Sequence, residues 1–447
     1  MKLRLSAVIL SSLLLVLVFS CQQNRVNFAQ DIAPIIHTNC SPCHHDEGAG
    51  PFSLITFEDV SEKARTIVDV TKARYMPPWP ADPNYSHFKE EKYLTDEQIE
   101  TIAQWVEQGK TKGDLKNLKY PTFPYYSSLG KPDLVLDLPR IPVSGNALDK
   151  FLTIKIPGMI QQDTYIKAIE FIPGQKQYVH HVNGYLLNYH SKPSHLMDKT
   201  NPINVESKTY QAELERLYLT AANEPKPDRI YSAFNYLPGV FAAHYPEGIG
   251  GFKMHQYFTL VCDDMHFGPA EKDTFDQSKI AIYFSKSAPK RPTKELMMGT
   301  NGVAAIEPPL ILQPNEKKIC TSSLYIPESI SILTINPHMH LIGTSFKAFV
   351  LTPEKDTIPL ISIPEWDFRW QYFYTFKKMV KVPAGSTIKL VAHFDNTNAN
   401  TNNPFNPPQL IKERLDLFGA GMKTTDEMLQ FIITYLPYQL GDEDIEL

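Results

Sequence analysis

The stretch Ser329-Ile330-Ser331-Ile332-Leu333-Thr334-Ile335-Asn336-Pro337-His338-Met339-His340 decides how the larger part of the chain folds. An apolar run of this length, bounded by turn residues, reads as a β-strand. Alternate side chains of a strand share a face, so His338 and His340 point the same way, close enough for one metal ion. Two imidazoles suit copper, zinc, iron or nickel, and an added thioether shifts the preference toward Cu(I). Met428, in Thr424-Thr425-Asp426-Glu427-Met428, is the candidate thioether. Taken alone, His-x-His more often marks a pair of partly exposed strand histidines. Here it has company in His180-His181, in His266, and in a cysteine motif near the N-terminus.

Outward from that strand, similar runs recur at 148–156, 165–172, 179–187, 253–261, 279–284, 346–351, 386–394 and 428–436, separated by Pro, Gly and Asn turns. They predict two antiparallel β-sandwiches, 136–304 and 305–447, with the seam near 309–318. The segment 206–221 has helical spacing instead and reads as an insertion. His180 and His181 are adjacent, and a regular strand sends neighbours to opposite faces. Both can reach one ion only if the backbone there is bulged.

Composition bounds what this architecture can do. The 447 residues are 43% hydrophobic and carry a net charge of -5, with 36 Pro, 21 Gly and 11% aromatics. Such a chain can bury more than one core, and its length suits about three domains. The charge balance and the lack of a basic run argue against a nucleic-acid partner.

The N-terminus carries Lys2 and Arg4, then a long apolar run, then Val18-Phe19-Ser20-Cys21. This reads as a signal peptide over residues 1–21, too short and too early for an integral span. Its end resembles a bacterial lipobox, in which Cys21 is lipidated and becomes the mature N-terminus; ordinary signal cleavage is the alternative. The expected location is the cell envelope, facing the periplasm, by lipid anchor or by secretion. Cys262 and Cys320 then either pair in that oxidising compartment or remain as buried thiols.

Residues 26–114 contain Cys40-Ser41-Pro42-Cys43-His44, the spacing of a c-type haem attachment site. Two thiols one turn apart bond the haem edge, and His44 ligates the iron. A redox dithiol or half a zinc site would share the spacing, but no second cysteine pair and no βαβ pattern accompany it. Met76, between Tyr75 and Pro77-Pro78, is the candidate sixth ligand, since Met with His favours electron transfer over oxygen chemistry. Thr95-Asp96-Glu97-Gln98 opens a closing helix that ends at Gly109. The segment reads as a small all-α cytochrome c domain, joined to the sandwiches by a linker over 115–135.

Taken together, His180-His181, His266, His338-Met339-His340 with Gly343, and Asp426-Glu427-Met428 resemble, in order and in motif, the copper type II, ascorbate-dependent monooxygenases typified by peptidylglycine alpha-hydroxylating monooxygenase. The layout is similar to bacterial members with an N-terminal cytochrome. The resemblance implies an electron-storing copper on His180, His181 and His266, and an oxygen-activating copper on His338, His340 and Met428. It also implies C–H hydroxylation of a small-molecule substrate by O2, with electrons from the haem, ascorbate, another donor or a redox partner. The alternative is a haem and copper electron-transfer lipoprotein that turns over no substrate. Where the peptide enzyme holds a substrate carboxylate with Arg and Tyr, this sequence has Asn336 and Ile432, with Gln430 nearby. That departure implies a neutral or weakly polar substrate. His244, His255 and His393 match no ligand position.

Overall fold

The computed structural model describes residues 25–123, 129–146, 149–198, 202–205, 207–217, 225–240, 242–414 and 425–447. The signal segment and Cys21 lie outside them. Among the described residues no helix is long and apolar enough to cross a membrane.

One compact unit comprises the chain up to Pro78 together with Lys92–Phe123. A π-helical turn, Phe28–Ile32, runs into the helix Ala33–Asn39, which delivers Cys40. The helix Phe57–Lys72 was not anticipated, although its signals are present in the sequence. Thr56 and Asp59 form a capping box, and Val60, Ala64, Ile67 and Thr71 supply a buried stripe. The helix Asp96–Glu107 has the expected capping box of Thr95 and Gln98, and it buries Ile102, Ala103 and Trp105.

The expectation of an all-α cytochrome c domain is corrected. The described residues are 39% strand and 12% helix, mostly β-sheet with a few short helices. In the N-terminal unit the short helices are separated by long irregular stretches at 40–56 and 73–95. The physical reason is local: Pro42, Gly48, Gly50, Pro51, Pro77 and Pro78 interrupt any helical period. The domain range 26–114 is corrected too, because Trp79–Glu91 belongs to the second compact unit. There Trp79 packs on Tyr372 and Tyr374, Phe88 on Phe376, and the Asp82 N–H donates to the Ser362 carbonyl at 2.8 Å.

The second unit holds two sandwiches, each built from a four-stranded and a five-stranded antiparallel sheet. In the first, the four-stranded sheet runs Leu134–Asp137, Lys279–Phe284, Thr164–Ile172, Phe252–Met254. The five-stranded sheet runs Ile203–Asn204, Lys150–Met159, Tyr257–Phe267, Val179–Tyr189, Asp228–Tyr236. Ile154, Ile156 and Leu260 from one sheet meet Ile166, Phe171 and Ile282 from the other in a shared core. The helical insertion is realised over Tyr210–Arg216, and Tyr210 and Leu214 pack on Phe151 and Ile203.

In the second sandwich the four-stranded sheet is Lys294–Gly299, Leu429–Pro437, Ile330–Met339, Tyr374–Val382. Its partner is Ile306–Glu307, Lys317–Ile326, Ser386–Asp395, Gly343–Leu351, Thr357–Ile363. Lys294–Gly299 pairs with Leu429–Pro437, so this sandwich begins near residue 294 and not at 305, and 309–318 lies within it. The linker is shorter than 115–135, since Leu134 already pairs with Ile282. Cys262 lies in the core of the first sandwich and Cys320 in that of the second, both as free thiols. The possible disulfide is thereby corrected: two separate cores hold the two sulfurs, and burial pushes both thiol pKa values up, that of Cys320 to about 11.

Candidate metal centres

Strand Val179–Tyr189 carries the adjacent histidines, and its register decides what they do. Pairing passes from Val179 opposite Phe267 to His181 opposite His266, so His180 is the extra residue of a bulge. Both rings therefore turn toward His266, with centroids 4.8 Å away for His180 and 4.9 Å for His181. The His180 ring also lies against Gly268, where a Cβ would come within 2.2 Å of it, so a side chain at 268 would displace the imidazole. Burial, then the neighbouring His266 and His181, holds the His180 pKa down at about 4, and the neutral imidazole is the metal-binding form.

Asp149 completes this cluster and was missed in the sequence, where nothing marks one aspartate in a strand-leading loop. His266 Nε2 donates to its carboxylate at 2.7 Å, which places the ring lone pair on Nδ1. The trio whose ligand atoms all lie within 4.8 Å of one another is Asp149, His180 and His266. Asp149 is thus either a ligand itself or the group that orients His266. The hydrogen bond to His266 holds the Asp149 pKa below the usual carboxylate range.

The second cluster sits at the end of Ile330–Met339. The rings of His338 and His340 stand 5.2 Å apart at 85°, on one face. His338 Nδ1 meets Gln371 Oε1, whose amide nitrogen donates to the Phe368 carbonyl at 2.8 Å, so the amide oxygen faces the ring. His340 Nδ1 donates to the Asp426 carbonyl at 2.7 Å. Both tautomers are set with the lone pair on Nε2, the other ring nitrogen being held by a hydrogen-bond acceptor as is usual for metal-ligating histidines. Beneath them Glu427 is 1% exposed, and its oxygens accept the N–H groups of His340 at 2.5 Å, Met428 at 2.9 Å and Ile342 at 3.2 Å. One buried carboxylate therefore ties the His-x-His strand to the Met428 strand. Burial pushes its pKa up to about 8 against those three donors.

A cavity of about 90 Å³ between the sandwiches is lined by His338, Met428 and Gln430 on one side and by Tyr185, Tyr231 and Phe234 on the other. A larger one of about 450 Å³ shares Tyr231, Phe234 and Phe373 with it. The sandwiches are also joined at this level: Glu295 accepts the Tyr231 N–H at 3.1 Å, and the Tyr245 and Thr334 hydroxyls are 2.7 Å apart. Phe368 links the two clusters, standing edge-on 6.0 Å from the His181 ring and 5.8 Å from the His340 ring. A single aromatic side chain spans the gap between them.

A third histidine pair lies at the far end of the Val179–Tyr189 sheet. His190, Asp228 and His255 bring their ligand atoms within 4.8 Å of one another. Their polar atoms already serve one another, with His190 on Asp228 and His255 on Asp163, each at 2.9 Å. Asp163 also pairs with Lys253 at 2.8 Å. His255 thus has a hydrogen-bonded place, while the His244 Nδ1 meets the Ala242 carbonyl at 3.3 Å and His393 is exposed on its strand.

In the N-terminal unit the Cys40 carbonyl accepts the N–H groups of Cys43 at 3.1 Å and His44 at 3.0 Å, a tight turn that carries the whole motif. His44 Nδ1 donates to the Phe52 carbonyl at 3.1 Å, which leaves its lone pair on Nε2. Gly50 lies against that ring, where a Cβ would come within 2.6 Å of Nδ1. Met76 is half-buried just after Phe57–Lys72, its N–H on the Val70 carbonyl at 3.1 Å.

No family model and no curated protein matches the sequence. Among solved structures the chain is similar to the major capsid protein P2 from bacteriophage PM2, at 10% identity and a TM-score of 0.23, over 69% of this chain and 99% of that one. A likeness of that size bears on neither fold nor function.

Proposed function

We propose that this protein is a cell-envelope, copper-dependent monooxygenase of the copper type II kind, which hydroxylates a C–H bond of a small molecule with O2 and takes electrons through a haem c on Cys40 and Cys43. The observation that supports it is the convergence of His180 with His181 and His266, and of His338 with His340, on facing sandwiches, the second cluster opening on a cavity that Met428 lines. The donor sets fit the groups. Three imidazoles suit both copper oxidation states, two imidazoles and a thioether favour Cu(I), and a CxxCH turn with His44 Nε2 available suits covalent haem with Met76 as partner ligand. Bound copper would supply electron storage and oxygen activation, and bound haem one-electron transfer.

The remaining work falls to the chain itself. Gln371 and the Asp426 carbonyl hold the two imidazoles in one tautomer. Glu427 fixes the spacing of His340 and Met428. The aromatic walls of the cleft exclude water from a bound molecule.

The alternative, an electron-transfer lipoprotein, needs no cavity beside His338 and Met428, and the cavity favours the first reading. Metal analysis of the purified chain tests it. The expected result is two coppers per covalent haem, with His338→Ala losing only one and Met428→Ala weakening that same site. No copper in the wild type, or loss of both together, would refute the two-site assignment.

A further inference from the structure

Arg414 follows the short strand Ile411–Lys412 and is held there by its backbone N–H on the Glu427 carbonyl at 3.0 Å. That bond sets it beside Met428, and its side chain lines the same cavity as His338, Met428 and Gln430. The residue is 7% exposed, yet neither Nε nor Nη1 has a hydrogen-bond partner among the described residues. A guanidinium is always charged, and burying it with donors unsatisfied is costly. Natural cores rarely keep such a group without a use for it. The neighbouring carboxylates do not serve it: the oxygens of Glu427 are taken by three backbone N–H groups, and Glu413 meets the Thr300 hydroxyl. The cavity wall also carries Arg229, stacked 3.9 Å over the Tyr185 ring, against one carboxylate, Asp263. Two fixed cations facing one anion give the cleft a net positive lining.

We propose that Arg414 is the anchor for a carboxylate on the substrate, received by a charge-assisted hydrogen bond from Nε on one side of the guanidinium or Nη1 on the other, the two donors left without a partner among the described residues. This deepens the proposed function and rests on its reading of the cleft as the substrate site. It also replaces the expectation of a neutral substrate, which rested on Asn336, Gln430 and Ile432. Asn336 has its amide committed to the Tyr372 carbonyl at 3.0 Å, and Gln430 donates to the Thr300 carbonyl at 2.8 Å. The charge enters the site instead from a residue fourteen places before Met428 in the chain. The aromatic wall of Tyr185, Tyr231, Phe234 and Phe373 would take the apolar body of the same molecule.

The test is calorimetric titration of the full chain, as purified and again after copper removal, with three probes of one shape: 3-phenylpropanoate, 3-phenylpropan-1-ol and 3-phenylpropan-1-amine. The carboxylate is expected to bind about tenfold or more tighter than the alcohol, and the amine weakest. Arg414→Gln should bring acid and alcohol to within about twofold, while Arg414→Lys keeps part of the preference. The melting temperature of Arg414→Gln should match or exceed that of the wild type, because Nε and Nη1 contribute no hydrogen bond to lose. Equal binding of acid and alcohol, no binding of the acid at millimolar concentration, a preference that survives Arg414→Gln, or a variant that no longer folds would each overturn the assignment. The ranking is read without turnover, so it holds or fails separately from copper content, which tests the enzyme reading alone.

Discussion

The two histidine clusters are built from the same kind of strand and differ in what stands behind them. The first is held by a bulge and by Asp149, whose side chain is 52% exposed. The second is braced from inside, by Gln371, by the Asp426 carbonyl and by the buried Glu427, and it faces an aromatic-walled cavity. A site that only stores an electron needs neutral ligands and little else. A site that handles a substrate must hold its ligands to a fraction of an ångström, and a rigid second layer of polar contacts does that. The difference in backing therefore matches the difference in proposed role.

The comparison breaks most readily at Glu427. Glu427→Ala strands three buried N–H groups and should cost about 3–5 kcal/mol in urea unfolding. Asp149→Ala, at a half-exposed position, should cost under about 1 kcal/mol. Equal costs would mean that the two clusters are not differently braced.

Acid tests the joint on which both clusters depend. Arg291 binds Asp442 through two nitrogens, at 2.5 and 2.8 Å, while its backbone N–H donates to the Gly248 carbonyl of the first sandwich at 3.0 Å. Burial raises the pKa of Asp442, but Arg291, Ser331 and the Gln439 N–H outweigh it and hold the value at about 2. The folded value lies below the unfolded one, near 3.9, so the pair stabilises the fold above about pH 4 and loses that contribution as the pH falls toward 2. About 2 kcal/mol of stability should disappear over that window, and Asp442→Asn should abolish the dependence.

Gly268→Ala sharpens the contrast from the other side. The added Cβ displaces the partly exposed His180 ring, so copper affinity at the first cluster should fall by about 10- to 100-fold. Copper at the second cluster and the unfolding midpoint should both stay put.

The smallest expected effect belongs to Phe368→Ala. Copper content should not change, but the cupric signal of the second site should fade several-fold more slowly in freeze-quenched samples after a reductant is added. An unchanged rate would mean that the ring does not matter to transfer between the clusters.

Much of the site was legible in the chain because its chemistry is local. Cys40-Ser41-Pro42-Cys43-His44 is one turn of backbone, and strand alternation alone places His338 and His340 on one face. The need for a bulge at His180-His181 also follows from that alternation. The helix Phe57–Lys72 was legible as well, in the capping box of Thr56 and Asp59 and the stripe of Val60, Ala64 and Ile67. The all-α expectation for the N-terminal unit failed because a motif and two helices were extended over prolines and glycines that break the period.

What only the tertiary structure decided is which distant residues meet. Asp149 reaches His266 across 117 positions, and Glu427 reaches His340 across 87. Phe368 falls between two clusters on separate sandwiches, and Arg414 stands beside Met428 with Nε and Nη1 unpartnered among the described residues. No periodicity or spacing encodes such pairs. Each depends on how sheets stack and on which buried polar groups find a partner once water is gone, and that is settled by the packed fold as a whole.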